Sequence, residues 1–306
     1  MNFTAKDVAA LREKTGCGMM DCKKALTESN GDVEAAIEYL REKGLAAVAK
    51  KASRIAAEGV AYAKVVKDGK NCVVIEVNAE TDFVAKNDKF KEFVDVCADT
   101  VLECAPADVD ALMACKAAGA DVTIEEMLRE KIQTIGENMK VRRFARFDGD
   151  VVTYIHAAGK IGVMVKFEAE GVDADAIVAC GKDVCMQIAA LNPLYLDKST
   201  VPAEDVEKEK EVLLAQIQND PKNAKKPANI LEKMVVGKIG KFYDTNCLMQ
   251  QEFVKNGDQS VEQYVAECAK NAGGSLKVVD FVRFEKGEGL EKRSDDFANE
   301  VAGMIK

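Results

Sequence analysis

The feature that most constrains the fold is a faint internal duplication at an offset of 90 residues. Gly69, Lys70, Val73, Ala79 and Glu80 recur as Gly159, Lys160, Val163, Ala169 and Glu170. Around them each copy has the same texture, two β-branched runs flanking a turn and then a helical pattern. In the first copy Val60 to Val66, Asp68-Gly69 and Cys72 to Asn78 predict a hairpin; in the second, Val151 to Ala157, Gly159 and Ile161 to Phe167 do the same. A hairpin with one apolar face must bury it under a helix. Two such units predict the α+β class, with two related core subdomains.

The flanking segments are helical. Residues 1–54 read as a three-helix bundle with a connector. Thr4 and Asp7 form a capping box ahead of Val8 and Leu11. After a turn at Gly16-Cys17-Gly18, Asp21 is expected to cap a helix carrying Cys22, Ala25 and Leu26. Asp32 caps a third helix with Val33, Ala36, Ile37 and Leu40, which Gly44 is expected to end, leaving Leu45 to Ala57 as a helical connector. The first core subdomain spans 55–148 and includes a helix from Thr123, boxed with Glu126, through Met127, Leu128, Ile132 and Ile135 to Gly136. The second spans 149–286 and carries an insertion at about 197–245. There Val206, Leu213, Leu214 and Ile217 stripe one charged helix and Ile230, Leu231, Met234 and Val235 another, joined by a polar tip from Pro221 to Pro227. This is an antiparallel, coiled-coil-like arm that either packs on its own body or pairs with another copy. Past a flexible Gly287-Glu288-Gly289, residues 287–306 read as a short C-terminal helical module with Phe297 and Val301.

Composition matters where it excludes functions. The 306 residues exceed the usual size of one domain, which agrees with several modules. A net charge of −9 opposes a nucleic-acid surface spread over the molecule. With no Trp and 6% aromatics, the clusters Lys50-Lys51, Arg142-Arg143 and Lys225-Lys226 lack the stacking partners of RNA recognition and read as solvated faces or protein contacts. No apolar run approaches the roughly 18 to 20 residues of a bilayer span. Ten scattered cysteines and an opening without an apolar signal core predict reduced thiols in the cytoplasm. A single histidine, His156, excludes most histidine metal sites and relays, and Cys17/Cys22 and Cys180/Cys185 lack Cys-x-x-Cys spacing. No glycine-rich phosphate loop opens a helix. The expectation is therefore no catalytic residue, no metal and no cofactor, and a protein partner in preference to a small molecule.

One stretch stands outside the packing patterns. Thr81-Asp82-Phe83-Val84-Ala85-Lys86-Asn87 joins the strand Cys72 to Asn78 to a helix capped by Asn87 and striped by Phe90, Phe93, Val94, Cys97 and Val101. Phe83 belongs to neither pattern. It either tucks under its own loop or projects for recognition. The second copy runs into Gly171-Val172-Asp173-Ala174 instead, so the shared fold alone does not require Phe83.

Two longer runs carry a resemblance. Leu11-Arg12-Glu13-Lys14-Thr15-Gly16-Cys17-Gly18-Met19-Met20-Asp21-Cys22-Lys23-Lys24-Ala25-Leu26 and Glu76-Val77-Asn78-Ala79-Glu80-Thr81-Asp82-Phe83-Val84-Ala85-Lys86 closely resemble the two signatures of bacterial translation elongation factor Ts. Ile135-Gly136-Glu137-Asn138 with Arg142-Arg143 is similar to a third run of that family; Ala79 stands where the family more usually has Cys or Ser. The resemblance implies a guanine-nucleotide exchange factor for elongation factor Tu, without covalent chemistry. It implies that Thr81, Asp82, Phe83 and Val84 disturb the partner's magnesium site. It further implies partner contacts from Ile135, Gly136 and His156 and from Leu11, Arg12, Met19 and Met20 of a ubiquitin-associated-like bundle; the arm either lies against the body or mediates self-pairing, as a homodimer or 2:2 complex. A non-catalytic adaptor or chaperone is the alternative.

Overall fold

The computed structural model describes residues 3–15, 17–66, 70–223 and 226–291. The turn residues Gly16, Asp68, Gly69 and Lys225, and the expected helix beyond Arg293, lie outside the described residues. The bundle consists of α1 (Ala5–Thr15), α2 (Met19–Glu28) and α3 (Val33–Lys51). The Asp7 carboxylate accepts from both the backbone N–H and the hydroxyl of Thr4, at 2.7 and 2.8 Å, and Asp32 accepts from the N–H groups of Glu34 and Ala35. Val8, Leu11, Cys22, Ala25, Leu26, Ala36 and Leu40 form a thin shared core.

Two helix boundaries differ from expectation. Gly18, not Asp21, is the N-cap of α2, and Asp21 lies inside the first turn, where its charge still suits the positive end of the helix. Gly44 does not end α3. It is buried mid-helix because Gln133 packs against it: a Cβ there would lie 2.5 Å from Gln133 Oε1. The missing side chain serves a close approach rather than a left-handed cap.

The duplicated halves form two three-stranded antiparallel sheets. The first has β1 (Glu58–Val65), β2 (Asn71–Ala79) and β3 (Met139–Asp148) in the order β1-β2-β3. Between β2 and β3 run α4 (Asp82–Lys86), α5 (Asp88–Cys104), α6 (Val109–Ala114) and α7 (Ile124–Ile135). The second sheet takes β4 (Asp150–His156) and β5 (Ile161–Glu170), followed by α8 (Ala174–Leu191), and closes with a late strand described below. Even the irregularities repeat: β2 bulges between Glu76 and Val77, and β5 between Lys166 and Phe167. Val73, Ile75 and Val77 pack under Phe90, Phe93, Val94, Cys97 and Val101, and their counterparts Val163, Val165 and Phe167 pack under Ile177, Val184 and Ile188. The opposite faces meet each other through Cys72, Val74, Val151 and Met164. Each central strand is thus buried on both faces, which explains its unbroken apolar sequence.

The arm is α9 (Ala203–Asn219) and α10 (Ala228–Asn246), with Leu213, Ile217, Val235 and Ile239 buried between them. Ile230 departs from the predicted stripe and is exposed. After the arm come a small ribbon, β6 (Glu252–Phe253) with β7 (Asn256–Ser260), then α11 (Val261–Ala272) and β8 (Ser275–Glu285), which pairs with β5 to complete the second sheet in the order β4-β5-β8. Gly287-Glu288-Gly289 is not a free connector. Gly287, at φ +68°, donates its N–H to Glu76 at 2.8 Å and passes so close to Ala57 that a Cβ would lie 2.1 Å from its carbonyl oxygen. Among the described residues no helix is long and apolar enough to cross a membrane, and no cluster of acidic, cysteine and histidine side chains could hold a metal.

Candidate functional site

The corner after β2 is built by local capping and by long-range ties. Thr81 is the N-cap of α4, its Oγ1 accepting from the Val84 N–H at 3.4 Å, and Asn87 caps α5 by accepting from the Lys89 N–H at 2.9 Å. These two caps turn the chain sharply, and Val84 and Ala85 anchor the short helix in the core. Phe83 is left on the outer side at 80% exposure, which excludes the tucked alternative. A large aromatic exposed to that degree on a fixed element is a surface feature that binding can bury. Beside it, the Asp82 carboxylate pairs with the Lys86 ammonium at 2.6 Å, and that bond holds the Asp82 carboxyl below its ordinary range. Lys86 also stands 6.0 Å from the Phe83 ring centre.

The same corner is tied to the turn after α7. Glu137 accepts from the Thr81 N–H at 3.0 Å and from the Thr81 hydroxyl at 2.8 Å, while Glu80 accepts from the Asn138 N–H at 2.5 Å. Ile135 and Gly136, far along the chain, are thereby drawn next to the Phe83 corner. Gly136 ends α7 in the left-handed region at φ +93°.

His156 joins from the second sheet. It is exposed at the end of β4, and its Nδ1 lies 3.0 Å from the Tyr154 hydroxyl. The next two residues, Ala157 and Ala158, have φ of +47° and +53°, a left-handed backbone that costs an L-residue roughly 1 to 2 kcal/mol each. This turn and α4 both pack against β1. At the same end Lys286 pairs with Glu58, and its N–H donates to the Lys160 carbonyl at 2.9 Å.

Behind the corner, Glu76 is fully buried between the two sheets. Burial alone would push its carboxyl up; hydrogen bonds from the Gly287 N–H, Asn78, Arg142 and Arg143 outweigh that and hold it below the ordinary value. Arg142 and Arg143 also reach the backbone of Glu288 and Glu285, and Arg143 stacks 4.3 Å from the Phe284 ring. This latch welds the two sheets into one support for the exposed corner.

The model for the family described as Elongation factor TS matches residues 80–288. Elongation factor Ts of Clostridium perfringens is 50% identical over 305 residues, covering 99% of each chain. The chain belongs to the elongation factor Ts family. The family's proteins from Clostridium botulinum, at 48% identity over 306 residues and 99% of each chain, and from a Nitratiruptor species, at 47% over 311 residues and 100% of each chain, show the same full-length similarity. The chain is thus a member of a family of translation elongation factors.

The candidate residues fall into three groups. Thr81, Asp82, Phe83, Ile135, Gly136 and His156 gather at one end of the paired sheets. Arg12, Met19 and Met20 are exposed on the bundle, Met20 at 73%. Leu11 and Val84 differ from the others: both side chains are buried, Leu11 in the bundle core and Val84 under α5, where they hold their elements in place. Sequence reasoning missed the ties made by Glu80, Glu137 and Glu76. The available signal was the presence of Glu137 within the run Ile135-Gly136-Glu137-Asn138.

Proposed function

We propose that the chain is a guanine-nucleotide exchange factor for elongation factor Tu. It binds the GDP form, sets Phe83 and Asp82 against the magnesium site of the GTP-binding domain, and so releases GDP for replacement by GTP. The observation that carries this reading is the exposed Phe83 beside a carboxylate on a rigidly tied corner, in a chain of the elongation factor Ts family. No covalent step is needed, because a cation bridging phosphates loosens its nucleotide when it is displaced. Burying one Phe is worth roughly 1.5 to 3 kcal/mol. A shift of about 10⁴ in a two-state equilibrium needs about 5.5 kcal/mol, so Ile135, Gly136, His156 and the bundle residues Arg12, Met19 and Met20 supply the remainder. Coupling is reciprocal: the factor weakens GDP as much as GDP weakens the factor, and incoming GTP ejects it.

In this reading residues 1–54 are the docking bundle, 55–148 and 149–286 the core, with the arm at about 197–245, and 287–306 a C-terminal module. The protein works in the cytoplasm without nucleic acid, membrane or cofactor. Val212 and Val236, 50% and 67% exposed on the two arm helices, are available for pairing two copies in a 2:2 complex. Release of fluorescent GDP from elongation factor Tu tests the proposal. Substoichiometric chain should accelerate release of the whole nucleotide pool; binding without acceleration would leave an adaptor or chaperone.

A further inference from the structure

The cap of α4 has an unusual acceptor. In a capping box the N-cap hydroxyl accepts from the third helical residue, and an acid or amide at that third position reaches back to the N-cap N–H. Among the described residues Thr123 with Glu126 and Ser260 with Gln263 do so locally on α7 and α11, and Asp197 with Thr200 forms the equivalent box on a 3-10 turn. In α4 the third residue is Val84, whose side chain is buried, so nothing local can accept from the Thr81 N–H. Glu137, 56 residues away, takes that place: one carboxylate oxygen accepts the Thr81 N–H and the other the Thr81 hydroxyl proton. With the hydroxyl proton committed to Glu137, its lone pair is turned to the Val84 N–H. Glu80 returns the tie by accepting from the Asn138 N–H next to Glu137.

We infer that Glu137 is the positioning residue of the exchange corner: it closes the α4 cap from a distance and so fixes the direction in which Phe83 and Asp82 project. A five-residue helix has too few internal hydrogen bonds to hold its own orientation. Without Glu137 the Thr81 N–H and hydroxyl turn to water, α4 frays, and Phe83 samples directions that do not reach the partner's cation site. The surface offered to the partner is otherwise unchanged. The consequence is a loss of maximal rate rather than of docking.

This rests on the exchange reading, and the test separates the two. Wild type, Glu137→Ala, Glu137→Gln, Thr81→Val, the Thr81→Val/Glu137→Ala double variant and Phe83→Ala are titrated against elongation factor Tu carrying fluorescent GDP. Maximal release rate and half-saturating concentration are both read. Glu137→Ala should lower the maximal rate about tenfold, the factor that loss of one cap-sized interaction gives. Half-saturation should stay within about twofold. Glu137→Gln, which keeps shape and one acceptor oxygen, should fall between the two and guards against loss of fold. The double variant should be little worse than Glu137→Ala, because both substitutions break one unit. Hydrogen exchange should rise at the amides of residues 81–86 while α5 stays protected. A maximal rate within twofold of wild type, or a loss confined to half-saturation, overturns the inference. If Phe83→Ala itself exchanges at the wild-type rate, it is the exchange reading that fails.

Discussion

Replacing Glu76 by Gln should be among the most destabilising conservative changes in the protein. The carboxylate is fully buried and accepts from Arg143 Nε at 2.6 Å, the Gly287 N–H at 2.8 Å, Arg142 Nη1 at 2.9 Å and Asn78 Nδ2 at 3.1 Å. The amide keeps one acceptor oxygen and turns an NH₂ toward donors, taking the counter-charge from Arg142 and leaving Arg143 with the Glu288 carboxylate at 3.0 Å. Breaking a buried pair by removing one partner costs about 3 to 5 kcal/mol. Arg142 and Arg143 are partly solvated, so the lower end, about 3 kcal/mol, is the expected loss. At two to four degrees per kcal/mol for a unit of this size, the melting midpoint should drop by about 6 to 12 °C. The pH dependence supplies the sign. A carboxyl held below its ordinary value stabilises the fold above the usual carboxylate range, and that contribution is lost as pH falls through the folded value. The gap between wild type and Glu76→Gln should therefore be full at pH 7 and shrink below about pH 4. Urea unfolding at several pH values measures it. A loss under about 1 kcal/mol at pH 7, or a gap independent of pH, would refute the latch.

Three further outcomes are expected. Gly287→Ala should cost about 2 to 4 kcal/mol by urea unfolding, since a Cβ would press on the Ala57 carbonyl at a left-handed φ, and an unchanged midpoint would contradict the fold there. Exposed Cys104 should react with a maleimide before Cys97 and Cys185, whose thiols burial pushes up, as mass spectrometry of partly labelled protein would show; equal labelling would place those helices wrongly. His156→Ala should weaken binding to elongation factor Tu modestly, by less than about tenfold, and an isothermal titration giving an unchanged constant would remove it from the interface.

Much of this architecture is legible in the sequence because it depends on near neighbours. The stripe Phe90, Phe93, Val94, Cys97 and Val101 needs only helical spacing, and all five side chains are buried. The Thr123–Glu126 box and the arm seam through Leu213, Ile217 and Val235 are equally local. Misplaced features depend on distant residues. Gly44 looks like a helix end until Gln133, far along the chain, is seen to occupy the space above it. Gly287 looks like a hinge until Ala57 and Glu76 hold it. Leu11 lies in one of the two family-like runs, and its side chain turns into the bundle core beside Val8. The exposed state of Phe83 follows from its absence from both flanking patterns, whereas the Glu137 tie that aims it joins residues no periodicity connects.

The rate at which fluorescent GDP leaves elongation factor Tu in the presence of wild type and of Phe83→Ala at saturating concentration tests the role of the exposed ring most directly. Exposed as it is, Phe83 contributes little to folding, so the variant should melt like wild type. Its release rate should be lower by on the order of 10- to 100-fold, the factor corresponding to one buried aromatic ring. A Phe83→Ala chain that discharges GDP as fast as wild type would contradict the account.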